Sequence, residues 1–78
     1  MDQELILKDV IMIVREVTKD YNVDEDSNQQ NTFSWDSLAY MVIAQNIEKH
    51  FSLPINSNNI DAMDSVSNIV NLIQSENK

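Results

Sequence analysis

The fold is decided by residues 36–51, which read DSLAYMVIAQNIEKHF. At about 100° per residue, this stretch forms a helix with apolar residues on two faces. One face carries Tyr40, Ile43, Ala44, Ile47 and Phe51, and the face roughly opposite carries Leu38, Met41, Val42 and Gln45. A chain of 78 residues holds one small core, so we assign the first set to that core. The second set needs a separate explanation.

The start of this helix is marked by Asp36 and Ser37. An aspartate immediately before an amphipathic stretch is a typical N-cap, because its carboxylate accepts a hydrogen bond from an amide of the first turn. We therefore expect a helix over residues 37–50 with the Ser37 hydroxyl exposed at its beginning.

Two further helices are predicted from apolar residues that recur at steps of three and four. The first spans residues 3–19, and the last spans residues 65–75 with Asp64 or Ser65 as its cap. Residues 57–62 are expected to form one short helical turn, after which Met63 enters the core. Glycine is absent and Pro54 is the only proline, so helices with ordinary loops are favoured. The predicted fold is an all-α bundle with three longer helices, a short third helix and a long loop after the first.

The long loop covers residues 20–36 and is rich in Asp, Asn, Gln and Ser. We expect Val23 and Phe33 to tether it to the bundle. Residues 24–28 begin like an EF-hand calcium loop, but Gln29 and Trp35 stand where that loop needs glycine and glutamate. A calcium sensor is therefore a poor alternative, and no metal site is predicted.

The overall composition restricts the classes of partner. A net charge of -8 repels phosphate backbones, so nucleic acid is not an expected partner. The absence of cysteine excludes disulfides and thiolate metal sites. The longest apolar runs are too short for a membrane span, and the first residues are acidic, unlike a signal peptide. We expect a cytoplasmic monomer.

Ser37 is the residue that we expect to carry the function, as a site of covalent attachment and not as a catalytic nucleophile. A serine hydroxyl needs a base to become a nucleophile, and the only histidine, His50, lies at the other end of the same helix. We therefore expect that the chain is not an enzyme, and that helix capping accounts for His50. A helix N-terminus favours a phosphodiester, because its amides and its dipole attract negative charge. The apolar Leu38, Met41 and Val42 beside it indicate a docking surface for partners.

A set of motifs along the chain now completes a pattern. FSWDSL at residues 33–38 is followed by the Ile43, Ile47, Glu48 and Phe51 spacing, and DSV at residues 64–66 precedes the last apolar stripe. Together with the size, acidity and four-segment layout, these motifs make the whole chain resemble the acyl carrier protein family.

The resemblance implies a four-helix bundle of acyl-carrier type whose Ser37 receives 4′-phosphopantetheine from coenzyme A through a magnesium-dependent phosphopantetheinyl transferase. The thiol of that arm would carry an acyl or aminoacyl group as a thioester between acyl-loading and acyl-processing enzymes. Asp36 would help the transferase reaction. Partner recognition would involve Leu38, Met41, Val42, Gln45 and Glu48, and an interior able to admit a fatty chain would be lined by Tyr40, Ile43, Ala44, Ile47 and Met63.

The sequence departs from the usual family pattern near the serine. Ala39 and Val42 stand where fatty acid carriers commonly have acidic residues, Ser34 replaces a usual glycine, and Trp35 occupies a position that is more often small. These departures favour a specialised pathway, such as polyketide, nonribosomal peptide or surface glycan synthesis, over housekeeping fatty acid synthesis. Trp35 could be a lid over the bundle or a pathway-specific contact. An unmodified interaction module that uses the Leu38, Met41 and Val42 patch is the alternative function.

Overall fold

The computed structural model describes residues 2–76, and this part of the chain is all-α. Helix α1 spans Gln3–Thr18, α2 spans Ser37–Phe51 and α3 spans Val66–Glu76. A short 3-10 helix, Ile60–Asp64, lies between α2 and α3. The three longer helices thus lie within about a residue of the ranges expected from apolar periodicity.

The core is built from one stripe of each helix. Fully or almost fully buried side chains come from all three helices, from the 3-10 helix and from the loops. Helix α1 packs against both α2 and α3, and the 3-10 helix packs against α2 and α3. In the described residues, no helix is both long enough and apolar enough to cross a lipid bilayer.

Helices α1 and α2 both end in the left-handed conformation without a glycine. Lys19 has φ 58° and Ser52 has φ 52°, and these are the positions where glycine is usually found. The amides of Ser52 and Leu53 both bond to the carbonyl oxygen of Glu48, and Leu53 is buried. Buried packing after α2 therefore offsets the strain of about 1–2 kcal/mol that a left-handed non-glycine residue carries.

The long loop is fixed to the bundle at several points. The Arg15 Nε donates to the carbonyl oxygen of Val23 at 2.9 Å, and Val23 is buried. The Gln29 amide donates to the Asp64 carbonyl at 2.8 Å, and the Val66 amide donates to the Ser27 carbonyl at 3.1 Å. These bonds hold the loop against the junction of the 3-10 helix and α3, so the chain reaches α2 in a defined position.

The short helix begins later than the sequence predicts. Residues 57–62 were expected to be helical, whereas the helix starts at Ile60 and has 3-10 geometry. The reason is a turn closed by asparagines: the Asn58 amide bonds to the Asn56 side chain at 2.8 Å, and the Asn56 amide bonds to the Asn59 side chain at 2.8 Å. Asparagine side chains compete with helical hydrogen bonds in this way. Met63 is nevertheless fully buried, as predicted.

Candidate functional site

Ser37 is the first residue of α2, and its side chain is exposed. Asp36 is the N-cap: its Oδ1 accepts from the Ala39 amide at 2.8 Å, and its carbonyl oxygen accepts from the Tyr40 amide at 2.9 Å. The capping prediction is confirmed. Among residues 2–76, no hydrogen bond engages the Ser37 hydroxyl, which faces solvent.

The surface beside Ser37 is largely apolar. Leu38 is 74% exposed and Met41 is 52% exposed, while Gln45 and Glu48 also face solvent. The first turn of α2 contains no acidic side chain. Four of the five residues expected to recognise partners are therefore accessible. Of these four, only Glu48 is charged.

Val42, the fifth residue, is only partly exposed because it faces α1. It lines an open groove of about 440 Å³ together with Val17 of α1 and with Leu38 and Asn46 of α2. Val42 therefore lines a groove beside Ser37, and the exposed apolar patch consists of Leu38 and Met41.

Most residues expected to line the interior lie in the core. Ile43, Ile47 and Met63 are 0% exposed, and Ala44 is 4% exposed. These side chains pack in one cluster with the stripes of α1 and α3. In this form the interior is closed over them, so a fatty chain could enter only if the helices separated.

Tyr40 differs from the other four, because it is only half-buried. Its hydroxyl donates to the carbonyl oxygen of Ile60 at 2.6 Å and so joins α2 to the start of the 3-10 helix. Burial raises the pKa of this phenol above its ordinary value, and the negative charges of Asp61 and Asp64 raise it further. The residue predicted to line a cavity is thus a link between two elements.

The loop before Ser37 places its two aromatic residues in opposite environments. Phe33, the predicted tether, is fully exposed at 102%, whereas Trp35 is 1% exposed and lies in the core cluster. The prediction for Phe33 is therefore wrong. Trp35 immediately precedes Asp36, the N-cap of α2, so its indole is buried where the loop enters that helix. The exposed Phe33 was missed as a surface feature, because an aperiodic loop gives no signal of burial.

His50 is far from Ser37 and has another partner. The two residues are separated by roughly 20 Å along α2, and the His50 Nε2 lies 3.2 Å from the Asp9 Oδ2 of α1. This contact was not predicted. Both side chains are about half exposed, so the pair contributes little to stability.

The acidic part of the loop is organised by its own turns. Asp24 Oδ1 accepts from the Asp26 amide at 2.9 Å, and Asp24 also lies within hydrogen-bond distance of the Ser27 hydroxyl. Within residues 2–76, no group of three or more potential metal-binding side chains is brought together. These turns give the Asp24 carboxylate a structural role in the folded loop.

Comparisons with known proteins do not identify the chain: no protein-family model, no curated protein and no solved structure matches it.

Proposed function

We propose that this protein is a carrier of the acyl-carrier type, with Ser37 as the attachment point of a 4′-phosphopantetheine arm. In the loading step, Ser37 Oγ bonds to the phosphorus of the pantetheine phosphate as the pyrophosphate P–O bond of coenzyme A breaks. Adenosine 3′,5′-bisphosphate leaves, and the hydroxyl proton passes to a base supplied by the transferase. The arm supplies a terminal thiol, which holds an acyl or aminoacyl group as a thioester. The observation that carries the proposal is the exposed, unengaged hydroxyl of Ser37 at the capped N-terminus of α2.

The surroundings of Ser37 suit a phosphodiester. The helix N-terminus attracts negative charge through its free amides and its dipole. The nearest carboxylate, Asp36, is already engaged by the Ala39 amide, and the first turn of α2 has no other acidic side chain. Asp36 is also placed by the resemblance in the recognition motif of the transferase.

The proposed partners dock beside the arm. Exposed Leu38 and Met41, flanked by Gln45 and Glu48, offer an apolar surface with little charge. Methionine repacks against differently shaped partners at low cost, which suits a carrier that visits several enzymes. Because the contact would depend on apolar burial more than on charge, its affinity should change little with salt.

The proposed resting place of an apolar cargo is the interior around Ile43, Ala44, Ile47 and Met63. Burial contributes about 0.8 kcal/mol for each methylene. A short chain would therefore gain enough to enter when the helices separate, and a partner enzyme could still withdraw it. The four-helix arrangement of acyl-carrier type belongs to the same proposal.

The test is loading in vitro. The folded protein is incubated with coenzyme A, magnesium and a promiscuous phosphopantetheinyl transferase, and its mass is measured intact. We expect one added phosphopantetheine on the native chain, none on Ser37→Ala, and normal loading of the control Ser67→Ala, whose serine is exposed in α3. An unchanged mass of the folded native chain would contradict the carrier function.

An unmodified interaction module is the second candidate. The observation that favours it is the exposure of Leu38 and Met41, which would suit a partner helix whether or not Ser37 is modified. Under this alternative, protein recovered from its own cells has the unmodified mass, and Met41→Glu abolishes partner binding while Ser37→Ala preserves it. The carrier function requires the arm on at least a fraction of the recovered protein.

A further inference from the structure

Phe33 lies at the tip of a tight turn four residues before Ser37. The Trp35 amide donates to the Thr32 carbonyl oxygen at 3.0 Å, which places Phe33 and Ser34 at the two central positions of a β-turn. Both ends of this turn are buried, since Thr32 is 6% exposed and Trp35 is 1% exposed. The turn therefore fixes the backbone of Phe33, while its ring lies wholly in solvent.

The exposed ring of Phe33 has no structural use in the isolated chain. It buries no apolar surface, so it contributes no hydrophobic stabilisation. Of the six exposed large apolar side chains in the described residues, three lie within four positions of Ser37, namely Phe33, Leu38 and Met41. Single exposed apolar side chains are ordinary, but their concentration around one site is typical of an interaction surface.

The position of Phe33 identifies the partner that covers it. Four residues of chain span at most about 14 Å, so the ring is attached within that distance of Ser37. A protein interface of standard size covers about 800 Å² of each partner, a patch with a radius of about 16 Å. Acyl-processing enzymes act at the far end of the arm, whereas the phosphopantetheinyl transferase must bring its active site to Ser37 Oγ. An interface of the transferase centred on Ser37 therefore includes Phe33.

We infer that Phe33 is a docking residue for the transferase, and that its ring inserts into an apolar pocket of that enzyme close to the active site. This role rests on the proposed function. Aromatic side chains supply much of the binding energy at many interfaces. A turn that is already rigid also lowers the entropy cost of binding. The transferase would then hold the chain before Ser37 through Phe33 and after it through Leu38 and Met41.

The test is the dependence of loading rate on the concentration of the carrier. The native chain and its variants are incubated with coenzyme A, magnesium and a promiscuous phosphopantetheinyl transferase, and intact mass over time gives kcat and KM for the carrier. Phe33→Ala should raise KM about tenfold or more and leave kcat nearly unchanged, because the ring contributes binding that is equal in the ground state and the transition state. Phe33→Tyr keeps the ring and should load with nearly the native KM.

Leu5→Ala is the matched control, because Leu5 is also an exposed apolar side chain, at 57%. The groove beside Ser37 is lined by Glu16 of α1, and Leu5 lies about 16 Å further along that helix. Leu5→Ala should therefore keep the native KM. Urea denaturation checks the fold, and the midpoint of unfolding should be the same for Phe33→Ala and the native chain.

The possible results separate the docking role from the proposed function. A native chain that gains no mass would overturn the proposed function and the docking role with it. If the native chain loads, an unchanged KM for Phe33→Ala would overturn the docking role alone. A fall in kcat without a rise in KM, an equal rise in KM for Leu5→Ala, or a lower urea midpoint for Phe33→Ala would also overturn it, since the ring would then act on the reaction step, on no particular site, or on the fold.

Discussion

The two faces of α2 carry similar apolar side chains in opposite environments. On the inner face, Ile43 and Ile47 are 0% exposed, while on the outer face Leu38 is 74% exposed and Met41 is 52% exposed. Burial explains the inner pair, since the hydrophobic effect acts only on surface removed from water. The outer pair gains little in the isolated chain. The apolar residues of the inner face therefore stabilise the fold, and those of the outer face form the surface that we propose for partner docking.

Truncating each face should separate these two roles. We expect Ile47→Ala to lower the free energy of unfolding by about 2–5 kcal/mol, because it leaves a cavity in a closed core. Met41→Ala should change it by no more than about 0.5 kcal/mol, as is usual for surface positions. Urea denaturation measures both effects.

A domain of this size has little stability to lose, so Ile47→Ala could fail to fold. Ile47→Val, with an expected loss of about 0.5–1.5 kcal/mol, is then the variant to compare with Met41→Ala. A loss from Met41→Ala as large as that from the Ile47 variant would show that the outer face is packed in solution.

The caps of α2 and α3 offer a second contrast of structure with function. Asp36 Oδ1 bonds to the Ala39 amide at 2.8 Å, and Ser65 Oγ bonds to the Asn68 amide at 3.0 Å. Asp36→Ala and Ser65→Ala should each lower the free energy of unfolding by about 0.5–2 kcal/mol. Only Asp36→Ala should slow transferase loading, by about tenfold or more if a charged contact is lost. The free energies come from urea denaturation and the loading rates from intact mass over time.

Equal loading rates for the two cap variants would restrict Asp36 to a structural role. A slow rate for Ser65→Ala as well would mean that loading reports general loosening of the fold. Both loading rates are therefore measured under conditions well below the unfolding midpoint of each variant, so that slow loading cannot come from unfolded protein.

The helices could be predicted because apolar residues recur with the helical period and because Asp36 marks a boundary. The same reasoning gave the buried set Ile43, Ala44 and Ile47, all of which are confirmed in the core. It also predicted an exposed Ser37, which agrees with the structure.

The loops could not be predicted in the same way. Nothing local tells whether Phe33 or Trp35 is buried, because both stand in an aperiodic segment and the choice depends on the space left by three helices. The sequence predicts too early a start for the short helix, because Asn56 and Asn59 form a turn. The Asn56 amide donates to the Asn59 side chain, and the Asn59 amide donates to the Asn56 carbonyl oxygen. The unpaired indole N–H of Trp35 is visible only once every possible partner has a position.

Tyr40 lies on the inner face of α2, and the link of its hydroxyl to Ile60 should make the free energy of unfolding depend on pH. An unfolded tyrosine loses its proton near pH 10.0, whereas burial first and then Asp61 and Asp64 raise the pKa of Tyr40 in the folded chain. The stabilising contribution is therefore complete below about pH 10 and is lost as the pH rises through the folded pKa.

Tyr40→Phe should lower the free energy of unfolding by about 0.5–1.5 kcal/mol at neutral pH, through the lost 2.6 Å hydrogen bond. It should also flatten the decline above pH 10. Urea denaturation across this range, with Tyr21→Phe as the control on a mostly exposed ring, measures both effects. An unchanged alkaline decline in Tyr40→Phe would mean that the hydroxyl does not hold the 3-10 helix against α2.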